Sequence, residues 1–250
     1  KPILTVNSVS TVFIPCAPRR VLYILHLSTD RLAMAEGFFM SQPSSEEIVD
    51  RMEGFPSWLE IDLDNISSNL DEIRRRVGGA EVLPCVKTNA YGHGVVPIVA
   101  HLMRRGIKRV LVAKLWEAVQ LREAGLTCGI INMDPIFTKS QYEAVVDLGI
   151  SQTVFNRSTA EKVSEAALRL GRRPGVFVKV DTGLGRVGVR HDEATDFVEY
   201  VSSLPKIKVE GMFSTLTEDK EYDKEQLKRM LALDSELRHR GVDPGIRCMS

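Results

Sequence analysis

Neither sign of charge is in excess in this 250-residue sequence, where 33 Lys and Arg side chains offset 33 Asp and Glu. Without a dominant field, nothing in the balance draws the chain to nucleic acid or to an anionic membrane surface. Cysteine is scarce: Cys16, Cys85, Cys128 and Cys248 lie far apart with no CxxC spacing. That excludes a zinc ribbon and a disulfide framework, indicates no metal site, and suits a reducing cytoplasm. Long apolar runs are absent too, and the compact run VLYILHL (21–27) falls far short of a bilayer span. A dinucleotide-binding glycine signature is also lacking. GLGRVG at 183–188 only superficially follows GxGxxG, since Arg186 occupies a crowded position and no ribose-binding acid follows at the usual distance.

What is present is enough apolar content, 44%, to bury a sizeable core. The first forty residues read differently from the rest: up to Thr29 there is no acidic residue and there are three basic ones. Targeting peptides share that bias, but the sequence opens on Lys and shows no clear cleavage pattern. Met34 or Met40 fits a natural start, so residues 1–40 are expected to be a non-homologous or disordered leader, and 41–57 a polar lead-in.

From Trp58 the pattern becomes regular, with short β-rich runs alternating with helical periodicity. WLEIDL reads as a strand, and Ile66, Leu70, Ile73 and Val77 form one helical stripe with Asp64 or Asn65 available as its cap. EVLPCVK, RVLVAKL, GIINM, SQTVF, GVFVKVDT, KVEGMFST and a terminal IRCMS read as strands with helices between them. Such a series, with short loops and buried strands, predicts an α/β chain folded as a (β/α)8 TIM-type barrel rather than an open doubly wound sheet.

In such a barrel the chemistry sits at the C-terminal ends of the strands, and Lys87 closes EVLPCVK. A lysine there can form a Schiff base with an aldehyde cofactor when its surroundings lower its pKa. Tyr91 follows within reach of such a cofactor, and Gly92 and Gly94 allow close backbone approach.

VKTNAYGHG (86–94) resembles the cofactor-lysine motif of the alanine racemases, a pyridoxal-phosphate family whose motif usually reads VKADAYGHG. KVDTGLGRVG (179–188) is similar to the family's KVDTGMGRLG, and LWEAVQLREAGL and WLEIDLDNISSNL resemble further family segments in the right order. The similarity spans 58–250. It implies a pyridoxal 5'-phosphate-dependent racemase interconverting L- and D-alanine. Lys87 would hold the cofactor as an aldimine and act as base on one face of the substrate. Tyr91 would support the cofactor phosphate, and Arg186 would face the cofactor's phenolic oxygen and the substrate carboxylate. Lys179 matches a lysine carbamylated in many relatives, or else an inward lysine paired with Asp181. His93 matches a supporting motif histidine.

The second base in the family is a tyrosine from the C-terminal β domain of a partner subunit. The resemblance therefore implies a homodimer and an incomplete barrel here, lacking the last strand and that domain. Two positions depart from the family pattern: Thr215 stands where a histidine is common, and Met249 where an asparagine is common, although Ser250 is retained for phosphate contact. A non-catalytic pyridoxal-phosphate barrel and a related decarboxylase or lyase are the alternative readings.

Overall fold

The computed structural model describes residues 2–6, 21–23 and 59–250. The polar lead-in, 41–57, and most of the leader lie outside the described residues.

The strands are β1 (Pro2–Val6), β2 (Val21–Tyr23), β3 (Leu59–Ile61), β4 (Glu81–Pro84), β5 (Arg109–Val112), β6 (Gly129–Asn132), β7 (Ser151–Val154), β8 (Gly175–Asp181), β9 (Val189–Arg190), β10 (Lys208–Ser214) and β11 (Ile246–Met249). The helices are α1 (Leu63–Val77), α2 (Val95–Arg104), α3 (Leu115–Glu123), α4 (Lys139–Asp147), α5 (Arg157–Leu170), α6 (Ala194–Ser203) and α7 (Lys220–His239). In α1 the cap is Asp62 rather than Asp64 or Asn65: its carboxylate accepts from the Asp64 and Asn65 N–H groups at 2.9 and 3.0 Å. The helix therefore begins two or three residues earlier than those caps imply, with Leu63 as its buried first residue.

The main sheet runs β4-β1-β11-β10-β8-β7-β6-β5, and every pairing along it is parallel. Its two ends meet through a parallel bridge between Cys85 and Leu111, reinforced by the Val86 N–H donating to the Leu111 carbonyl at 2.8 Å. The sheet thus curls back on itself with helices outside, the TIM-type architecture expected. The strand–helix series from Glu81 onward supplies all of this sheet except β1, so it is an incomplete (β/α)8 series. The position between β11 and β4 is taken by β1, from the segment preceding the series. WLEIDL contributes β3, which pairs antiparallel with β2 apart from the main sheet.

Alternation along the strands divides the core. Leu83, Cys85, Leu111, Ile131, Phe177, Phe213 and Cys248 form a cluster of their own inside the curl. Their neighbours Val82, Val110, Val112, Ile130, Val176, Val178, Val180 and Met212 join the larger cluster against the helices. Phe177 fills the interior because Gly211 leaves room: a Cβ on that glycine would lie 2.6 Å from the Phe177 ring and 2.6 Å from the Ile246 carbonyl oxygen. This packed floor puts the loops after β4, β5, β8, β10 and β11 at one open end, where side chains can meet a ligand.

Candidate active site

Lys87 follows β4 at the C-terminal mouth, partly buried, with Nζ 5.9 Å from the centre of the Tyr91 ring. The backbone between them is unusual. Thr88, Asn89, Ala90 and Tyr91 all have φ between 52° and 55°, one left-handed turn made without glycine. Each such residue costs roughly 1–2 kcal/mol against its right-handed form, and a β-branched threonine is among the least suited. Only Asn89 belongs to a type that visits this region readily.

The turn is held from three sides. The Glu117 carboxylate, 1% exposed, accepts from the Thr88 N–H at 2.5 Å and the Asn89 N–H at 3.3 Å through one oxygen. Its other oxygen accepts from the Ala113 and Lys114 N–H groups, both at 2.9 Å. The Asn89 side-chain oxygen accepts from the Val95 N–H at 2.8 Å, tying the turn to α2. His93 is exposed and Nδ1 donates to the Ala90 carbonyl at 2.8 Å, so it braces the backbone. The Tyr91 hydroxyl donates to Cys85 Sγ at 3.8 Å, and burial, with Cys85 alongside, pushes its pKa up to about 12.

On the other wall, Lys179 of β8 is buried and points inward, with Nζ 4.5 Å from the centre of the Phe213 ring. Its ammonium donates to Thr215 Oγ1 at 2.7 Å, not to Asp181, as the alternative pairing had it. Asp181 is taken up by its own loop, accepting from the Gly183 and Gly185 N–H groups at 2.9 and 3.1 Å. Burial, and next the charge of nearby Arg186, lower the Lys179 pKa to about 8, against the opposing pull of Cys248 and Asp181. Arg186 itself is exposed. Gly188, at φ +136°, lets the loop return against β8, since a Cβ there would lie 2.6 Å from the Asp181 nitrogen.

Ser250 follows β11 beside Ser214, its N–H donating to the Ser214 carbonyl at 3.3 Å. Met249, which stands where the family commonly has asparagine, is buried in the outer core against the helices. Thr215 does bear on the site, because it is the acceptor for Lys179. Beneath both strands, Gln226 of α7 donates to Thr182 Oγ1 and the Thr215 carbonyl, each at 3.0 Å.

The structure therefore pairs Lys87 with Tyr91, and Lys179 with Arg186, on opposite walls; no hydrogen bond joins the two pairs among the described residues. Glu117 and Gln226 are absent from the expected site. Glu117 carried one readable signal, an acid at the third position of a helix directly after a strand, where it reaches back to the Lys114 N–H.

The charge pattern is specific. Lys114, at the end of the adjoining strand, is paired with Asp134 at 2.5 Å. Among the described residues neither Lys87, Lys179 nor Arg186 forms a salt bridge with an Asp or Glu side chain, and only the more distant Asp181 acts on Lys179. An accessible primary amine on one wall of a mouth whose other wall carries Lys179 and Arg186 fits a small aldehyde bearing an anionic group, and pyridoxal phosphate is such a molecule. No group of His, Cys, Asp and Glu among the described residues could hold a metal.

Fold and site together define the class: a parallel α/β barrel with an amine-bearing, cationic mouth at the C-terminal ends of its strands. A family profile described as alanine racemase, N-terminal domain, matches residues 61–250. The chain belongs to that family. It is 37% identical over 193 residues to an alanine racemase of Clostridium perfringens, covering 75% of this chain and 50% of that protein. A Clostridium tetani alanine racemase is 37% identical over 198 residues, covering 77% and 51%. Among solved structures, alanine racemase of Clostridium difficile 630 in complex with cycloserine superposes with a TM-score of 0.69 at 30% identity, covering 75% of this chain and 53% of that one. The Bacillus anthracis enzyme with bound L-Ala-P gives 0.66 at 28%, covering 75% and 50%. The chain thus spans about half the length of the relatives it matches.

Proposed function

We propose that the whole protein of which this chain is part is a pyridoxal-phosphate-dependent amino-acid racemase acting on alanine. The observation that carries this reading is the uncompensated cationic mouth formed by Lys87, Lys179 and Arg186, within a chain of the alanine racemase family. Bound pyridoxal phosphate supplies an electron sink for the charge left when the α-proton departs.

The chain's own residues do the rest. Lys87 holds the cofactor's aldehyde carbon through Nζ and moves the proton on one face of the substrate. The rigid turn after it fixes the angle from which that amine approaches, and Tyr91 and Ser250 bear on the phosphate. Arg186, permanently charged and exposed toward solvent, orients the substrate carboxylate. The Lys179 amine, brought to about 8, is neutral often enough near neutral pH to add carbon dioxide with loss of one proton. The resulting carbamate would orient Arg186.

The base on the opposite face is assigned to a partner subunit's tyrosine, which makes the active form a homodimer. Exposed Trp116, in the first turn of α3, and Phe137, on the loop after β6, are 59% and 76% accessible and support an interface at this end. A cytoplasmic setting accords with Cys85 and Cys128 forming no disulfide among the described residues. No helix of the described residues is long and apolar enough to cross a membrane.

The test is the full-length protein supplied with pyridoxal phosphate and L-alanine, with D-alanine measured over time. D-alanine formation that Lys87→Ala abolishes is the expected result. Thr215 in place of the family's usual histidine favours a second reading, cofactor binding without racemisation. Full-length protein that takes up the cofactor through Lys87 and yields no D-alanine would select it.

A further inference from the structure

We infer that Glu117 is a positioning residue for Lys87, acting through the left-handed turn that carries the lysine into the mouth; the inference rests on the cofactor role proposed for Lys87. Glu117 is the only side chain among the described residues whose carboxylate bridges the Lys87 turn and the end of β5. Its two oxygens divide four backbone N–H groups between the walls: Thr88 and Asn89 on one side, Ala113 and Lys114 on the other. At 1% exposure it has no water to replace any of them.

Both pairs belong to segments that cannot satisfy those donors themselves. Thr88 and Asn89 open a turn whose four φ angles are positive without glycine, and Ala113 and Lys114 leave the strand before α3 begins. A buried donor left unmade is costly, and so is a left-handed threonine. The carboxylate offsets both at once, and in doing so fixes the turn against a neighbouring strand. Lys87 lies immediately before this turn, so its direction follows the turn's geometry.

Glutamine is the discriminating replacement. Its single carbonyl oxygen can serve one pair of amides, and its NH2 then faces the other pair, donor against donor. Glycine at position 88 adopts φ near +55° without a Cβ penalty and keeps its amide, so it should relieve part of the same defect.

The experiment follows amide hydrogen exchange in full-length, cofactor-free protein and covalent uptake of pyridoxal phosphate in the same preparations, read by visible absorbance and borohydride labelling of Lys87. In the parent, the Thr88 and Asn89 amides should be protected. In Glu117→Gln they should exchange at least about tenfold faster while the β8 amides keep their protection. Uptake at Lys87 should weaken by about tenfold and recover at least in part in Glu117→Gln/Thr88→Gly. Unchanged exchange and uptake in folded Glu117→Gln would overturn the inference, as would weakened uptake with exchange unchanged. Should Glu117→Gln fail to fold, fast exchange of Thr88 and Asn89 in the parent would overturn it, and protection there with uptake regained in the double variant would support it. A Lys87→Ala control separates the two levels. A cofactor band persisting in that variant removes the proposed role of Lys87, whereas the exchange result judges the brace on its own.

Discussion

Two lysines stand on opposite walls of the same mouth, and they are prepared in different ways. Lys179 lies in a regular strand, and its surroundings act on its charge: burial and Arg186 bring its pKa to about 8, with Thr215 as its acceptor. Lys87 is only partly buried, and what is special about it is its backbone, a left-handed turn braced by Glu117, Asn89 and His93. The first device sets a protonation state; the second sets a direction. A lysine that must meet one carbon atom needs the second, and one that supports a neighbouring arginine can rely on the first.

The largest effect expected from breaking the comparison is on activity. Lys87→Ala in the full-length protein should lower racemisation by at least about a thousandfold, since anchor and proton carrier are lost together. Lys179→Met should cost far less, leaving cofactor uptake intact, and parallel assays of D-alanine formation measure the split.

Next in size is the floor that both lysines share. Phe177→Ala removes the largest fully buried side chain inside the curl and should destabilise by about 3–5 kcal/mol in a denaturant titration. Gly211→Ala should destabilise as well, because its Cβ would lie 2.6 Å from the Phe177 ring and 2.6 Å from the Ile246 carbonyl oxygen.

The pH response sharpens the contrast further. Lys179 titrates near 8 when folded and near 10.5 when free, so between those values the unfolded chain holds a proton that the folded chain has released. Stability of cofactor-free protein should therefore rise with pH across that window. Lys179→Met should reduce that rise and gain stability below pH 8, where the parent carries a buried charge. A slope unaffected by the substitution would contradict the shift. Smallest of all, Thr215→Val should cost about 1 kcal/mol at neutral pH through the lost hydrogen bond to Lys179, readable as a shift in thermal midpoint.

Much of this was legible in sequence. The alternation of β-rich runs with helical stripes located the strands of the series, placing Lys87 at the close of one apolar run and Lys179 within another. The left-handed turn was not legible, since in Thr88-Asn89-Ala90-Tyr91 only asparagine favours positive φ; the conformation comes from Glu117, far along the chain. The Lys179 acceptor was missed for the same reason: Asp181 is near in sequence, but its carboxylate is occupied by loop amides, and Thr215 arrives from the adjoining strand. Nor could periodicity place Pro2–Val6 between β11 and β4, because one short apolar run carries no information about its partners.

The central claim is that Lys87 is the amine that takes the cofactor. Borohydride reduction of full-length, pyridoxal-phosphate-loaded protein, followed by peptide mass analysis, tests it directly. The account predicts a reduced pyridoxyl group on Lys87 and none on Lys179; a label on any other lysine, with Lys87 unmodified, would contradict it.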